Sequence, residues 1–193
     1  MSLGRKLLLS LVVLGLAGAC AGAATWSALS GTTTNPGNNF SAGTVSLGDN
    51  DAGGAVVSLP ATSRPGDSAT GCIKLTYTGS LPAAVRLHGT TSGMLAPYLN
   101  LVVERGTQAS AAFPSCTGFS ADTADYGHGA NGIVYQGPLS GYPGSYGAGV
   151  VDADGSWTSG EARTYRFQVT LGSDPAAQGQ SDSATFRWEA RNL

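Results

Sequence analysis

Apolar residues in this chain recur with a period of two, and that alternation constrains the fold more than any other feature. In Cys72-Ile73-Lys74-Leu75-Thr76-Tyr77 the side chains of Ile73, Leu75 and Tyr77 share one face, and Tyr165, Phe167, Val169 and Leu171 repeat the pattern with Arg166, Gln168 and Thr170 opposite. Val85 and Leu87 alternate with Arg86 and His88, Phe186, Trp188 and Ala190 alternate with charged and polar neighbours, and Leu99, Leu101 and Val103 form a further candidate strand. Weaker strands are predicted over residues 44–47, 55–59, 133–136 and 147–151. Turn signals separate them: Gly53-Gly54, Arg64-Pro65-Gly66-Asp67, Thr78-Gly79-Ser80, Tyr142-Pro143-Gly144 and Asp154-Gly155. No window of twelve residues carries apolar groups at helical spacing with a cap. Eight or nine short antiparallel strands of this kind predict an all-β fold, a jelly-roll or Greek-key β-sandwich. Residues 109–132 are the least regular and read as a long connection held down by Cys116.

Composition narrows the function classes. Of 193 residues, 10 are Lys or Arg and 12 are Asp or Glu, so 11% are charged, against about 25% in a typical soluble domain. A formal net charge of -2 argues against a basic nucleic-acid binder, and the scarcity of Glu and Lys argues against a coiled coil. With 41% of residues hydrophobic there is enough apolar material for one core.

The N-terminus reads as an address. Arg5 and Lys6 form a positive region, residues 7–16 an apolar run, and small residues follow to Ala24, the layout of an export signal. An uncleaved anchor and a lipoprotein modified at Cys20 are the other readings of the same stretch. The expected organisation is a signal peptide over 1–27, an N-terminal arm over 28–42 and a β-sandwich over 43–193. Cleavage is expected between Ser27 and Ala28, with Ala21 and Ala23 as other possible ends of the signal. Such a protein is secreted, to the cell surface or beyond, and touches a membrane only through its signal. Loss of the signal also leaves Cys72 and Cys116 as a single pair in an oxidising compartment, where a disulfide is the default. That bridge is worth roughly 4 kcal/mol in the chain-entropy model.

Catalytic constellations are nearly absent. The chain holds 2 histidines, His88 and His128, with neither HExxH nor GxSxG. His88 shares the parity of Arg86 and reads as a solvated surface residue. Gly127-His128-Gly129-Ala130-Asn131-Gly132 matches GxGxxG formally, but no strand precedes it and no helix follows, so it reads as a turn and not a phosphate cradle. Asp49-Asn50-Asp51 and Asp152-Ala153-Asp154-Gly155 space oxygen ligands as calcium loops do, yet lack the remaining ligands; Asx turns explain them equally well. No cofactor and no metal is expected.

A family resemblance rests on an ordered set of short motifs. The run Ala24-Thr25-Trp26-Ser27-Ala28-Leu29-Ser30, followed by Asn39-Phe40-Ser41-Ala42-Gly43-Thr44-Val45-Ser46-Leu47, resembles the signal-peptide junction and first strand of the TasA and camelysin (CalY) family. The order of a short strand over 56–59, the turn Arg64-Pro65-Gly66-Asp67, the strand from Cys72 to Tyr77, and Thr78-Gly79-Ser80-Leu81 is similar too. So is the closing run Ala184-Thr185-Phe186-Arg187-Trp188-Glu189-Ala190. The similarity covers residues 20–90 and 160–193. Ser27 stands where the family has a small Ala, Leu29 where it has Phe, and the best-known members lack the Cys72 and Cys116 pair.

That resemblance implies a jelly-roll subunit of an extracellular, biofilm-matrix filament, freed by a SipW-type signal peptidase. Its partner is itself, in a head-to-tail polymer. The arm Ala28-Leu29-Ser30-Gly31-Thr32-Thr33-Thr34, extended, Thr-rich and uncharged, is the expected donor strand, with Leu29 as its apolar anchor. Two other functions accompany this one. An adhesin or glycan-binding module would present Tyr142, Tyr146 and Trp157. A camelysin-like metalloprotease would gather His88, His128 and a carboxylate around zinc.

Overall fold

The alternating runs do become strands of two antiparallel sheets packed face to face. The computed structural model describes Gly4 and residues 42–193 except Ala111, and residues 42–193 form one unit. The expected signal peptide, Cys20, the cleavage point at Ser27 and Ala28, and the arm Ala28, Leu29, Ser30, Gly31, Thr32, Thr33 and Thr34 lie outside the described residues. Among the described residues no helix is long and apolar enough to cross a membrane.

Among the described residues nine strands follow in order: β1 (Leu47–Asp49), β2 (Ser68–Tyr77), β3 (Ala83–Thr91), β4 (Leu99–Gln108), β5 (Phe119–Ala121), β6 (Ile133–Pro138), β7 (Val150–Val151), β8 (Ala162–Leu171) and β9 (Ala184–Asn192). The larger sheet runs β1-β2-β8-β4, and the far edge of β4 is shared by β6, opposite Asn100 to Glu104, and β5, opposite Gly106 to Gln108. The smaller sheet runs β7-β3-β9. Chain neighbours β2 and β3 thus lie in different sheets, while β8 returns between β2 and β4, as an antiparallel β-sandwich requires.

Three weaker expectations are corrected. Residues 55–59 form no strand; the Val56 carbonyl oxygen instead lies over the inward face of β2, where it would stand 1.7 Å from a Cβ at Gly71. The first strand begins at Leu47, and residues 44 and 46 bond instead to the turn after β2, through Thr78 N to Ser46 O and Ser80 N to Thr44 O, both 2.9 Å. The irregular stretch 109–132 contains β5, a strand that alternation did not signal.

The inner faces meet in one core. Ile73, Leu75 and Tyr77 of β2, Leu101 and Val103 of β4, and Tyr165, Phe167 and Val169 of β8 face Val85 and Leu87 of β3 across it. Each fully buried large side chain contributes about 1.5–3 kcal/mol relative to exposure. An aromatic chain links the sheets: Tyr135–Tyr142 at 4.9 Å, Tyr142–Phe186 at 5.5 Å, Phe186–Phe167 at 4.5 Å, Phe167–Trp188 at 5.7 Å and Trp188–Tyr165 at 5.7 Å. Most of these rings are tilted or edge-on, the geometry their quadrupoles favour.

Candidate functional site

A sandwich of two open sheets has two long sides where sheet edges face each other, and here the two are built differently. On one side the edges are β1 and β9. β1 pairs only with Leu75, Thr76 and Tyr77 of β2, and β9 pairs only with β3, so among the described residues the outer edge of β9 has no strand against it. A cleft of about 470 Å³ lies along this edge, lined by Leu47, Asp49, Leu75, Phe186, Trp188 and Glu189 among others. A second, of about 250 Å³, continues past Phe186 and is more apolar, with Val57, Leu59, Leu99, Val169 and Asp182 in its wall. Each contains a buried polar atom without a hydrogen-bond partner among the described residues: Trp188 Nε1 in the first and Asp182 Oδ1 in the second. Such atoms are rare in a finished core and mark incomplete pairing.

On the opposite side, a buried ion network spans the gap between β4 and the segment after β7. Arg105 continues the inner-face parity of Leu99, Leu101 and Val103 and is only 3% exposed. Its Nε donates to Asp152 Oδ2 at 2.8 Å, and its two terminal nitrogens meet Asp122 and Asp154. Asp154 also takes Arg163 Nη2 at 2.8 Å. Asp152, 2% exposed, accepts from Trp157 Nε1 at 2.7 Å and from the Tyr165 hydroxyl, while Tyr126 donates to Asp122 at 2.8 Å. Burial by itself would lower the Arg105 pKa, but attraction by Asp152, Asp122 and Asp154 outweighs it and raises the pKa. Burial, reinforced by Asp152, pushes the Tyr165 phenol well above its ordinary range.

The residues singled out by sequence fall into place around these two sides. Cys72 and Cys116 are bridged, with Cα atoms 5.1 Å apart. The bridge pins residues 112–117 onto the β2 edge, where Cys72 N donates to Pro114 O at 2.9 Å. Asp152 and Asp154 form an arginine site and not a calcium loop. In Asp49-Asn50-Asp51 the side chains cap main-chain groups: Asp49 Oδ1 accepts from Asp51 N at 3.2 Å, Asp51 Oδ1 from Gly53 N at 2.6 Å, and Asn50 Oδ1 from Lys74 N at 2.9 Å. Burial and the neighbouring Asp51 raise the Asp49 pKa, against a main-chain hydrogen bond that lowers it.

The Gly127 to Gly132 turn does gather main-chain donors, but the chain fills them itself. Asp125 Oδ1 accepts from Gly127, His128 and Gly129 at 2.9, 2.9 and 3.1 Å. The bonds from His128 and Gly127 lower the Asp125 pKa. His88 is not solvated: its side chain is 12% exposed and its Nε2 lies 3.2 Å from Glu189 Oε2. His88 and His128 belong to different parts of the sandwich, and no group of three or more His, Cys, Asp or Glu among the described residues could hold a metal. Trp157 is wholly buried, and Tyr142 is packed between Tyr135 and Phe186; neither is presented for a glycan. Arg105 went unnoticed in sequence, and its one signal was an arginine at an inner-face position of an otherwise apolar strand.

No family model matches the chain, and a search of characterised proteins finds no significant match.

Proposed function

We propose that this chain is an exported structural subunit that polymerises head to tail, its N-terminal arm entering a neighbouring subunit as a donor strand. The observation that carries the reading is the unpaired outer edge of β9 among the described residues, with its two clefts. An added strand gains main-chain hydrogen bonds along such an edge, and its alternate side chains fill whatever pockets lie beside it. The arm Ala28-Leu29-Ser30-Gly31-Thr32-Thr33-Thr34 suits that role by composition: it is uncharged, β-branched at three positions and carries one apolar anchor, Leu29. The more apolar cleft, walled by Val57, Leu59, Leu99 and Val169, is of the right character for Leu29. The resemblance to TasA-like fibre proteins, the export-signal layout and a disulfide suited to an oxidising compartment agree with an extracellular filament processed by a SipW-type peptidase.

Electron microscopy of protein beginning at Ala28, beside protein lacking residues 28–34, tests this directly. Filaments are expected from the first and monomers from the second. Monomers from both would reject self-assembly by strand donation.

A further inference from the structure

The outer face of the smaller sheet gathers three arginines. The described residues hold eight basic side chains, of which Arg64, in the turn before β2, and Lys74, on β2, lie away from the smaller sheet. Arg105 and Arg163 are consumed by Asp122, Asp152 and Asp154, and Arg166 is held by Glu104 at 2.5 and 2.6 Å. The other three, Arg86, Arg187 and Arg191, lie on one face, because β3 and β9 pair in a register that sets Arg86 opposite Glu189 and His88 opposite Arg187. Glu189 is the only carboxylate in those two strands, and it is shared between Arg191 Nε at 2.7 Å and His88 Nε2 at 3.2 Å. Arg187 is exposed and has no ion-pair partner among the described residues.

The face is also held rigid. The Arg86 guanidinium donates to the carbonyls of Tyr146 and Gly147 at 3.3 and 3.1 Å. The Tyr146 ring lies against both Arg86 and Arg191, at 5.0 and 3.9 Å from its centroid. Guanidinium groups fixed on a sheet lose little entropy when they bind an anion.

We infer that this face binds an acidic polysaccharide, its arginines contacting carboxylate groups along the sugar chain. Three observations choose that partner. The arginines are spread over two paired strands, where a single small anion in water gains little, whereas a chain carrying many anions gains by multivalency. The guanidinium fork matches a carboxylate in two hydrogen bonds. The aromatic ring of the face, Tyr146, is already covered by arginines, so it offers no free platform for stacking a nucleic-acid base.

The test uses the full chain and sodium alginate, a polyuronate, in titration calorimetry at 20 and 200 mM NaCl. Binding is expected at low salt, at least tenfold weaker at high salt, and absent with dextran, an uncharged glucan. An Arg187→Ser, Arg191→Ser double variant should bind at least tenfold more weakly with an unchanged melting midpoint, since both side chains are exposed. Glu189→Gln, which removes the one carboxylate of β3 and β9 and leaves Asp49 and Asp51 in the adjoining cleft, should bind more tightly. No binding of alginate, undiminished binding by the double variant, or equal binding of duplex DNA at the same salt would each overturn the assignment.

Discussion

The two long sides of the sandwich solve the same problem in opposite ways. Where β4 faces the segment after β7, the gap is bridged by Arg105 and three carboxylates, with Tyr165 and Trp157 completing Asp152, beside a cleft of about 500 Å³ lined by Tyr126, Val134, Val150 and Asp152. Where β1 faces β9, the gap holds two clefts, and two residues of their walls, Trp188 and Asp182, each keep a buried polar atom without a hydrogen-bond partner among the described residues. Within that second side the edges differ again. β2 is covered beyond β1 by Asn50 and by Pro114, which the Cys72–Cys116 bridge holds in place. β9 has no such cover among the described residues. Edge protection is a normal requirement of β proteins, so an edge left bare beside a guarded one has the form expected of an acceptor.

Breaking the closed side should cost most. Arg105→Met leaves three carboxylates close together without their cation, and loss of one partner from a buried ion network costs about 3–5 kcal/mol; urea denaturation monitored by Trp fluorescence reads the change. A near-neutral result would mean that the network merely fills space. Next, Cys72→Ser with Cys116→Ser should lose about 2–4 kcal/mol and speed hydrogen exchange at the Cys72 and Lys74 amides, both capped by loop residues. Unchanged exchange there would separate the disulfide from edge cover. Gly71→Ala sets a Cβ against the Val56 carbonyl, and forced overpacking of this kind costs about 1–3 kcal/mol, seen as a lower melting midpoint.

The open side should respond least. Trp188→Phe removes a buried donor that has no partner among the described residues, so the stability of the domain should stay within about 1 kcal/mol of the parent; a larger loss would reveal a partner for Nε1. Finest of all, outward-facing amides of β9 should exchange faster than those of β2 in the monomer and slow on assembly. Equal protection before assembly would show that this edge is already covered.

Much of the sandwich was legible in the alternation. Ile73, Leu75 and Tyr77, Val85 and Leu87, Leu101 and Val103, and Tyr165, Phe167 and Val169 all take the predicted inward parity and are buried. The expectation failed at 55–59 because coil residues packed over a sheet also bury alternate side chains: Val57 and Leu59 face a cleft without any ladder. It missed β5 because a three-residue strand, held by pairing with Gly106 to Gln108, is too short to show a period.

The disulfide was legible for a different reason: if Cys20 leaves with the expected export signal, two cysteines remain and have one pairing. His88 was misread because parity gives the face and not the neighbours, and Glu189 from β9 covers it. The aromatic residues Trp157 and Tyr142 looked presentable only because a Gly-rich context hides how deeply a loop can pack.

By itself, then, the sequence determined the fold class, the inward faces of the long strands and the cysteine bridge, because these depend on periodicity and on a single possible pairing. Only the tertiary structure decided that Asp122, Asp152 and Asp154 converge on Arg105, that Asp125 occupies its own turn, and that Arg86, Arg187 and Arg191 share one face. Those arrangements depend on strand register and loop path between residues far apart in the chain, and no local pattern encodes the distance between them.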